Sequence, residues 1–378
     1  MKRALIIGGG FAGFQAARRL SRHRMLETVL VDGRATSDFL PVLPDIAGGR
    51  LRAQNCRFSL ASACRKHGVE FVQAKVEHID LGQGAAATAA GAIKFDYLLI
   101  ASGSHTFFHG QDQFRKHAFT LDSVEDASRI DARLKQGDCD NVVVAGGGYT
   151  GIEIATHINR RLTKAGRPRP VTIVEIAPRI LSPMPDELRS YTEKNLAKRG
   201  IRTLTDIKVA DATAGAVTLS DGTSFTNPLF IWAAGVTAAS HVQELPVDKT
   251  RQGRLQVDQF LRVAENCFAA GDAASFVKHD KPLRMAVQFS ISEGLCAAEN
   301  IIRAACGQPL KAFAPVDLGY VIPMAGGRSS GVVLGLRVKG WLPTALHYFM
   351  SLYRTHGWPH RMGMLRDLGT APFRRCEA

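Results

Sequence analysis

No two of the seven cysteines, Cys56, Cys64, Cys139, Cys267, Cys296, Cys306 and Cys376, stand in a Cys-x-x-Cys pair. An odd, scattered set of this kind predicts neither a disulfide framework nor a zinc site, but thiols in a reducing compartment. Long apolar runs are missing too: none reaches the about 18 to 20 residues that a membrane-crossing helix needs. The chain enters an apolar strand at Ala4, leaving no room for a signal peptide, so a cytosolic protein, or one attached to a membrane from the cytosolic side, is expected. Acidic residues are in deficit, with 34 Asp and Glu against 48 Lys and Arg, for a net charge of +14. That surplus asks for an acidic counterpart. Nucleic acid is not indicated, because no helix-turn-helix, zinc-finger or basic-aromatic motif accompanies the charge. An anionic membrane surface or an acidic ligand fits it.

What is present is globular: 46% apolar residues in a chain of 378, long enough for two or three domains. The first 32 residues read as a complete βαβ unit. Ala4-Leu5-Ile6-Ile7 is a strand, Gly8-Gly9-Gly10-Phe11-Ala12-Gly13 a glycine loop, the following stretch a helix, and Thr28 to Asp32 a second strand ending in an acid. Gly8 permits the tight turn, Gly10 lets backbone approach a pyrophosphate, and Gly13 lets the helix pack on the strands. The helix N-terminus favours phosphate, and Asp32 is placed to accept from a ribose.

The pattern recurs. Asn141 to Ala145 is a strand, Gly146-Gly147-Gly148-Tyr149-Thr150-Gly151 repeats the Gly-x-Gly-x-x-Gly spacing through Gly146, Gly148 and Gly151, a helix runs from Ile152 to Leu162, and Val171 to Glu175 is the second strand with its acid. Two such units in one chain imply two bound dinucleotides, and the usual use of the pair is to pass a hydride between them. Glu175 places a negative charge where a 2′-phosphate would sit, which favours NADH over NADPH, with Arg179 close by in sequence as a counterweight. Phe95 to Gly103 and Pro228 to Gly235 are apolar strands running to a glycine, as buried parallel strands do. A helix is expected over Ser123 to Leu134 with Ser123 as N-cap, another over Asp186 to Arg199, and a hairpin region over Gly82 to Gly91. Gly271-Asp272 closes a further strand, with the acid placed to reach a ribityl hydroxyl of a flavin.

In order, the first glycine motif, Ala101-Ser102-Gly103, the second glycine motif and Ala270-Gly271-Asp272 resemble the two-dinucleotide flavoprotein disulfide reductase superfamily over about residues 1 to 310. Within it the chain is most similar to the type II NADH dehydrogenases, which are NADH:quinone oxidoreductases. Phe39 to Gly49 resembles that branch's loop after the first acid, and Gly151-Ile152-Glu153-Ile154-Ala155 resembles its Gly-Val-Glu-Leu-Ala. Val287 to Gly294 falls on its Ala-Gln-x-Ala-x-Gln-Gln-Gly, with Gln288 and Gly294 matching and Ser292 and Glu293 in place of two glutamines.

The resemblance implies an α/β fold of two Rossmann-like domains with the NAD domain inserted in the FAD domain. Residues 1–110 and 246–334 would bind FAD, 111–245 would bind NADH, and 335–378 would form a C-terminal amphipathic helical region. It assigns Gly8, Gly10, Gly13, Asp32, Gly103, Gly271 and Asp272 to FAD, and Gly146, Gly148, Gly151, Glu175 and Gly235 to NADH. Glu153 becomes a catalytic residue beside the flavin and nicotinamide, and Gln288, Phe289, Ser292 and Glu293 line a quinone site, with Gln288 bonding a quinone carbonyl. The helix after Met285 would stabilise the anionic reduced flavin. The implied activity passes a hydride from NADH to flavin and two electrons on to a quinone, without proton pumping. Sulfide:quinone reductase chemistry, with Cys139, Cys267 or Cys296 as sulfur carrier, a ferredoxin reductase-like enzyme, and a redox sensor holding FAD and NADH with little turnover remain the alternatives.

In the tail, Leu342, Ala345, Leu346, Phe349, Met350 and Tyr353 recur at helical spacing, with His347, Ser351 and Arg354 on the other side and Trp341 and Trp358 at the flanks. Seven cations, Arg337, Lys339, Arg354, Arg361, Arg366, Arg374 and Arg375, stand against Asp367 and Glu377. A basic amphipathic helix with aromatic edges suits a monotopic membrane anchor; a cover for the protein's own core or for a homodimer partner is the other reading. The resemblance favours the membrane, on the cytoplasmic face of the inner membrane.

Overall fold

The computed structural model describes residues 1 to 371, so Arg374, Arg375, Cys376 and Glu377 lie outside the described residues. The chain forms two compact units. The first takes residues 1–37, 58–105 and 236–317; the second takes 38–57, 106–235 and the chain from 318 onward.

The first unit is built on a six-stranded sheet in the order Arg262–Ala264, Cys267–Ala269, Tyr97–Ile100, Lys2–Ile7, Leu26–Asp32, Glu70–Gln73. All neighbours are parallel except the first pair. Strand alternation explains why the runs are apolar throughout: Ala4, Ile6, Leu30, Leu99 and Phe268 point into one core, while Leu5, Ile7, Val29, Leu98 and Ile100 point into another. The helices Phe11–Leu20 and Val287–Ala305 cover the first of these faces. They approach so closely that a Cβ on Gly294 would stand 2.3 Å from the Ala12 carbonyl oxygen, so glycine is required there. The expected hairpin near Gly82 is a three-stranded antiparallel sheet, Val76–Asp80, Ala85–Thr88 and Gly91–Lys94.

The second unit holds a four-stranded parallel sheet in the order Ile201–Leu204, Val171–Val174, Asn141–Ala145, Pro228–Trp232. Its helix Val124–Gln136 begins where Ser123 accepts from the Asp126 N–H at 3.1 Å and ends at Gly137 in the left-handed region, φ +70°. The helix Asp186–Lys198 lies where expected. After residue 318 come an antiparallel meander, Gly319–Ile322, Ser329–Val333 and Leu336–Gly340, and two helices, Trp341–Arg354 and Trp358–Thr370. The tail thus holds two helices in place of the single one expected, preceded by a meander.

These units divide the chain differently from the boundaries drawn on the sequence. Residues 38–57 join the second unit because their helix Leu43–Ala47 is pinned there: Arg161 donates to the Ala47 carbonyl at 3.0 Å, and the Val124 N–H donates to Asp38 at 2.9 Å. The C-terminal helices belong to the same unit, held through Asp367, which is fully buried and accepts from the Arg52 N–H, the Arg52 Nε and Asn55 at 2.7–2.9 Å.

Candidate functional site

The two glycine loops are near copies in geometry. Gly8 turns at φ +103° and Gly146 at φ +111°, values that only glycine adopts readily. A Cβ on Gly13 would stand 1.9 Å from the Gly8 carbonyl oxygen, and one on Gly151 would stand 1.8 Å from that of Gly146. Gly10 and Gly148, by contrast, face open space and are the N-caps of the following helices, with no side chain capping either first turn. Backbone N–H groups and the positive dipole end are thereby presented to open space, the arrangement that takes a pyrophosphate.

Each loop carries its own acid. Asp32 accepts from the Gly9 N–H at 2.7 Å, and Glu175 accepts from the Gly147 N–H at 2.6 Å and the Ala177 N–H at 2.8 Å. These carboxylates brace the loops, and each oxygen retains a lone pair for a sugar hydroxyl. Arg179 is turned to Asp186 at 3.5 Å. Over the second loop opens a cavity of about 580 Å³, lined by Gly146, Gly148, Glu175, Trp232 and Gly235 among others. His109, absent from the sequence reading, closes one edge: its Nε2 lies 2.8 Å from the Ala234 carbonyl oxygen, against Gly235 at φ +146°.

In the first unit Gly103 turns at φ +68°, and Gly271, at φ +70°, opens the 3-10 turn Gly271–Ala273, which carries Asp272 just beyond the strand Cys267–Ala269. Asp272 accepts from the Ser104 hydroxyl at 2.9 Å, and burial raises its pKa against the lowering pull of Ser104 and Arg254. Glu293, expected beside a quinone, is 2% exposed and accepts from the Gly271 N–H at 2.7 Å. Burial pushes its carboxyl up to about 8, so it is protonated at neutral pH. Of its neighbours on the helix Val287–Ala305, Phe289 is buried, Ser292 bonds back to the Gln288 carbonyl at 2.9 Å, and Gln288 donates to Asp317 at 3.1 Å. The structure thus places Glu293 beneath the Gly271 turn and Gln288 beside Asp317. The helix starts at Ala286 with no side-chain cap, directing its dipole outward.

Glu153 lies in the second unit on the helix Tyr149–Lys164, and burial, reinforced by Asp45, raises its pKa well above the carboxylate range. Asp45 itself is 1% exposed and accepts from the Tyr348 hydroxyl at 2.7 Å; Arg50 donates to the same phenol oxygen at 2.6 Å. His157 Nδ1 is 3.6 Å from Asp45, while its Nε2 and that of His347 are buried without a hydrogen-bond partner among the described residues. Burial lowers both imidazole pKa values, His347 to about 4, so both rings are neutral. This cluster escaped the sequence reading. Thiols give no sign of thiolate character: burial raises Cys139, Cys267 to about 12 and Cys296 to about 11.

A mixed α/β chain with two glycine-loop βαβ units, one in each compact unit, defines a two-dinucleotide protein. Residues 2–294 match the model of the pyridine nucleotide-disulphide oxidoreductase family, and the chain belongs to that family. It is 33% identical over 336 residues to an NADH dehydrogenase-like protein of Mycobacterium tuberculosis, covering 83% of each chain. It is 27% identical over 369 residues to a type II NADH:quinone oxidoreductase of Staphylococcus aureus, covering 90% of this chain and 91% of that one. The fold matches NDH2 from Plasmodium falciparum in complex with NADH at a TM-score of 0.87 and 16% identity over 99% of both chains. It also matches the sulfide:quinone oxidoreductase of Aquifex aeolicus at 0.80 and 19% identity over 99% and 96%.

Proposed function

We propose that the chain is an FAD-dependent NADH:quinone oxidoreductase working at a membrane surface. The observation that carries it is the duplicated glycine loop, each copy with an open phosphate cradle and its own acid. The relatives named for NADH:quinone chemistry support the same reading. In it, Gly8, Gly10, Gly13 and Asp32 hold the adenosine and pyrophosphate of FAD, while Asp272 bonds the ribityl chain and Gly103 keeps the strand end open. Gly146, Gly148, Gly151, Glu175 and Gly235 hold NADH. Glu175 repels a 2′-phosphate, and Arg179, engaged with Asp186, does little to offset it. FAD, when bound, supplies hydride acceptance from NADH and two-electron release to the quinone.

The chain's own residues bind, orient and hold protons. Glu153, whose carboxyl is biased toward its protonated form by desolvation and by Asp45, serves in proton delivery and helps orient the nicotinamide. Glu293 supports the Gly271-Asp272 turn and keeps negative charge off it at neutral pH. Gln288, with the uncapped start of its helix, forms the acceptor side, and the buried Phe289 packs behind it.

Membrane attachment falls to the C-terminal helices. Trp341, Leu342, Phe349 and Tyr353 on one, and Trp358, Met362 and Leu365 on the other, are 44–72% exposed, while Ser351 and Tyr348 face inward. A helix that turns its apolar stripe outward is not covering its own core. No helix among the described residues is long and apolar enough to cross a bilayer. In this reading the outward apolar stripes lie on the membrane surface, at the cytoplasmic face. The test is anaerobic: NADH bleaches the flavin absorbance of the purified protein, and a short-chain quinone restores it. Flavin that stays oxidised under NADH refutes the reading; flavin that bleaches but resists every quinone refutes the acceptor.

A further inference from the structure

A second cavity, of about 860 Å³, opens in the second unit apart from the nucleotide loop. Its walls are cationic. Arg160, Arg161 and Lys164 come from the helix Tyr149–Lys164, Lys135 and Asp131 from the helix Val124–Gln136, Arg50 and Arg52 from the loop after Gly49, and Arg366 from the helix Trp358–Thr370. Among the described residues Asp131 is the one acid in the lining, and it pairs with both Arg161 and Lys135. Behind the wall, Asp45 lies 3.9 Å from Arg50 and Asp367 lies 2.8 Å from Arg52. Seven cations less three acids leave +4. Arg160 and Arg366 make no ion pair among the described residues. The Arg50 Nε is buried with no acceptor among the described residues, an orphan donor in the wall.

A built cation pocket of this kind is made for an anion. The charge decides its size: one phosphate monoester carries about −1.5 to −2 at pH 7, so two are needed to balance +4. Arginine forks match phosphate oxygens two at a time, which a chloride cannot do, and a lone carboxylate supplies one such pair and a single charge where this pocket offers several forks. We propose that this pocket binds a ligand carrying two phosphate groups, with Arg160 and Arg366 as its principal unpaired contacts and Lys135, Arg161 and Arg50 supporting the charge. The same chemistry is offered by a soluble diphosphate compound and by the headgroup of a two-phosphate lipid. The exposed apolar stripe of the helix that supplies Arg366 places lipid within reach of the same element.

The test uses the full-length flavin-loaded protein. Inorganic pyrophosphate is titrated by calorimetry with saturating NAD⁺ present to fill the second glycine loop, and phosphatidylcholine vesicles with and without cardiolipin are followed by flotation. The pocket variant is R160A/R366A, and R202A/R251A removes equal charge from exposed positions outside the pocket. The wild type is expected to bind about one pyrophosphate per chain, or to float selectively with cardiolipin. R160A/R366A is expected to weaken that binding by about 100-fold, each charged hydrogen-bond partner being worth roughly tenfold or more, and R202A/R251A by less than about threefold. A pyrophosphate response identifies the soluble source and a cardiolipin response alone the lipid source. Failure of the wild type to bind either, or equal weakening in both variants, overturns the proposal. Neither readout measures hydride transfer, so failure here leaves the oxidoreductase reading untouched.

Discussion

The outward apolar stripe on the C-terminal helices makes a quantitative prediction about partitioning. Trp341 is 72% exposed and Phe349 64% exposed, and they stand two helical turns apart on one face. Full burial of a large apolar side chain is worth about 2.5 kcal/mol, so roughly two-thirds of each, about 1.6 kcal/mol, remains to be gained in lipid. Replacing both with serine should remove about 3 kcal/mol, a fall of about 150-fold in vesicle partition coefficient. Because neither side chain is buried in the unit, melting temperature and NADH oxidation with a water-soluble quinone should stay near wild type. Flotation across a lipid titration measures the partition, and sedimentation measures the oligomer. Unchanged partitioning refutes the membrane face. A change from dimer to monomer with partitioning unaltered assigns the face to a second copy of the chain.

Three further outcomes follow from named contacts. Gly13→Ala should yield colourless protein, because its Cβ meets backbone at 1.9 Å, whereas Gly151→Ala should stay yellow yet resist bleaching by NADH; absorbance spectra separate the two, and the opposite pattern would exchange the cofactor assignments. Glu293 has a folded pKa above its ordinary 4.5, so the folded state holds the extra proton and stability falls as pH rises from about 4.5 to about 8, then levels off. The full loss is about 5 kcal/mol as an upper bound, and Glu293→Gln, which can still accept from Gly271, should flatten that slope in denaturant titrations between pH 5 and 9. Asp367→Ala removes three hydrogen bonds from a fully buried carboxylate and should cost about 3 kcal/mol, read as early proteolysis of the C-terminal helices.

What could be read from the sequence was what is local. A glycine loop, its helix and its acid fall within about 30 residues, and backbone sterics dictate the spacing, so both units were legible down to Asp32 and Glu175. The Ser123 cap and the apolar stripe of Trp341 to Tyr353 are local for the same reason. What stayed hidden depends on contacts between distant segments. Asp45 is an unremarkable loop acid until Tyr348, 303 residues later, donates to it. Asp367 counts as one tail charge among many until Arg52 and Asn55 surround it. Glu293 sits in a motif that pointed outward to a quinone, yet helix phase and the near-contact of Gly294 with Ala12 turn it inward beneath Gly271. The meander at 319–340 has short strands with little alternation, too weak a period to stand out.

The route of the chain through its two units also governs how the protein can be made. The chain passes from one unit to the other at residues 37/38, 57/58, 105/106, 235/236 and 317/318, so no single cut releases either unit whole. The central sheet of the first unit pairs Leu99 with Phe268, 169 residues apart, and everything between is already synthesised before that pairing forms. On the ribosome, the strands Lys2–Ile7, Leu26–Asp32 and Tyr97–Ile100 therefore wait with one apolar edge unpaired while the second unit emerges. That edge is where a nascent chain of this protein needs a chaperone, and where truncated products should aggregate.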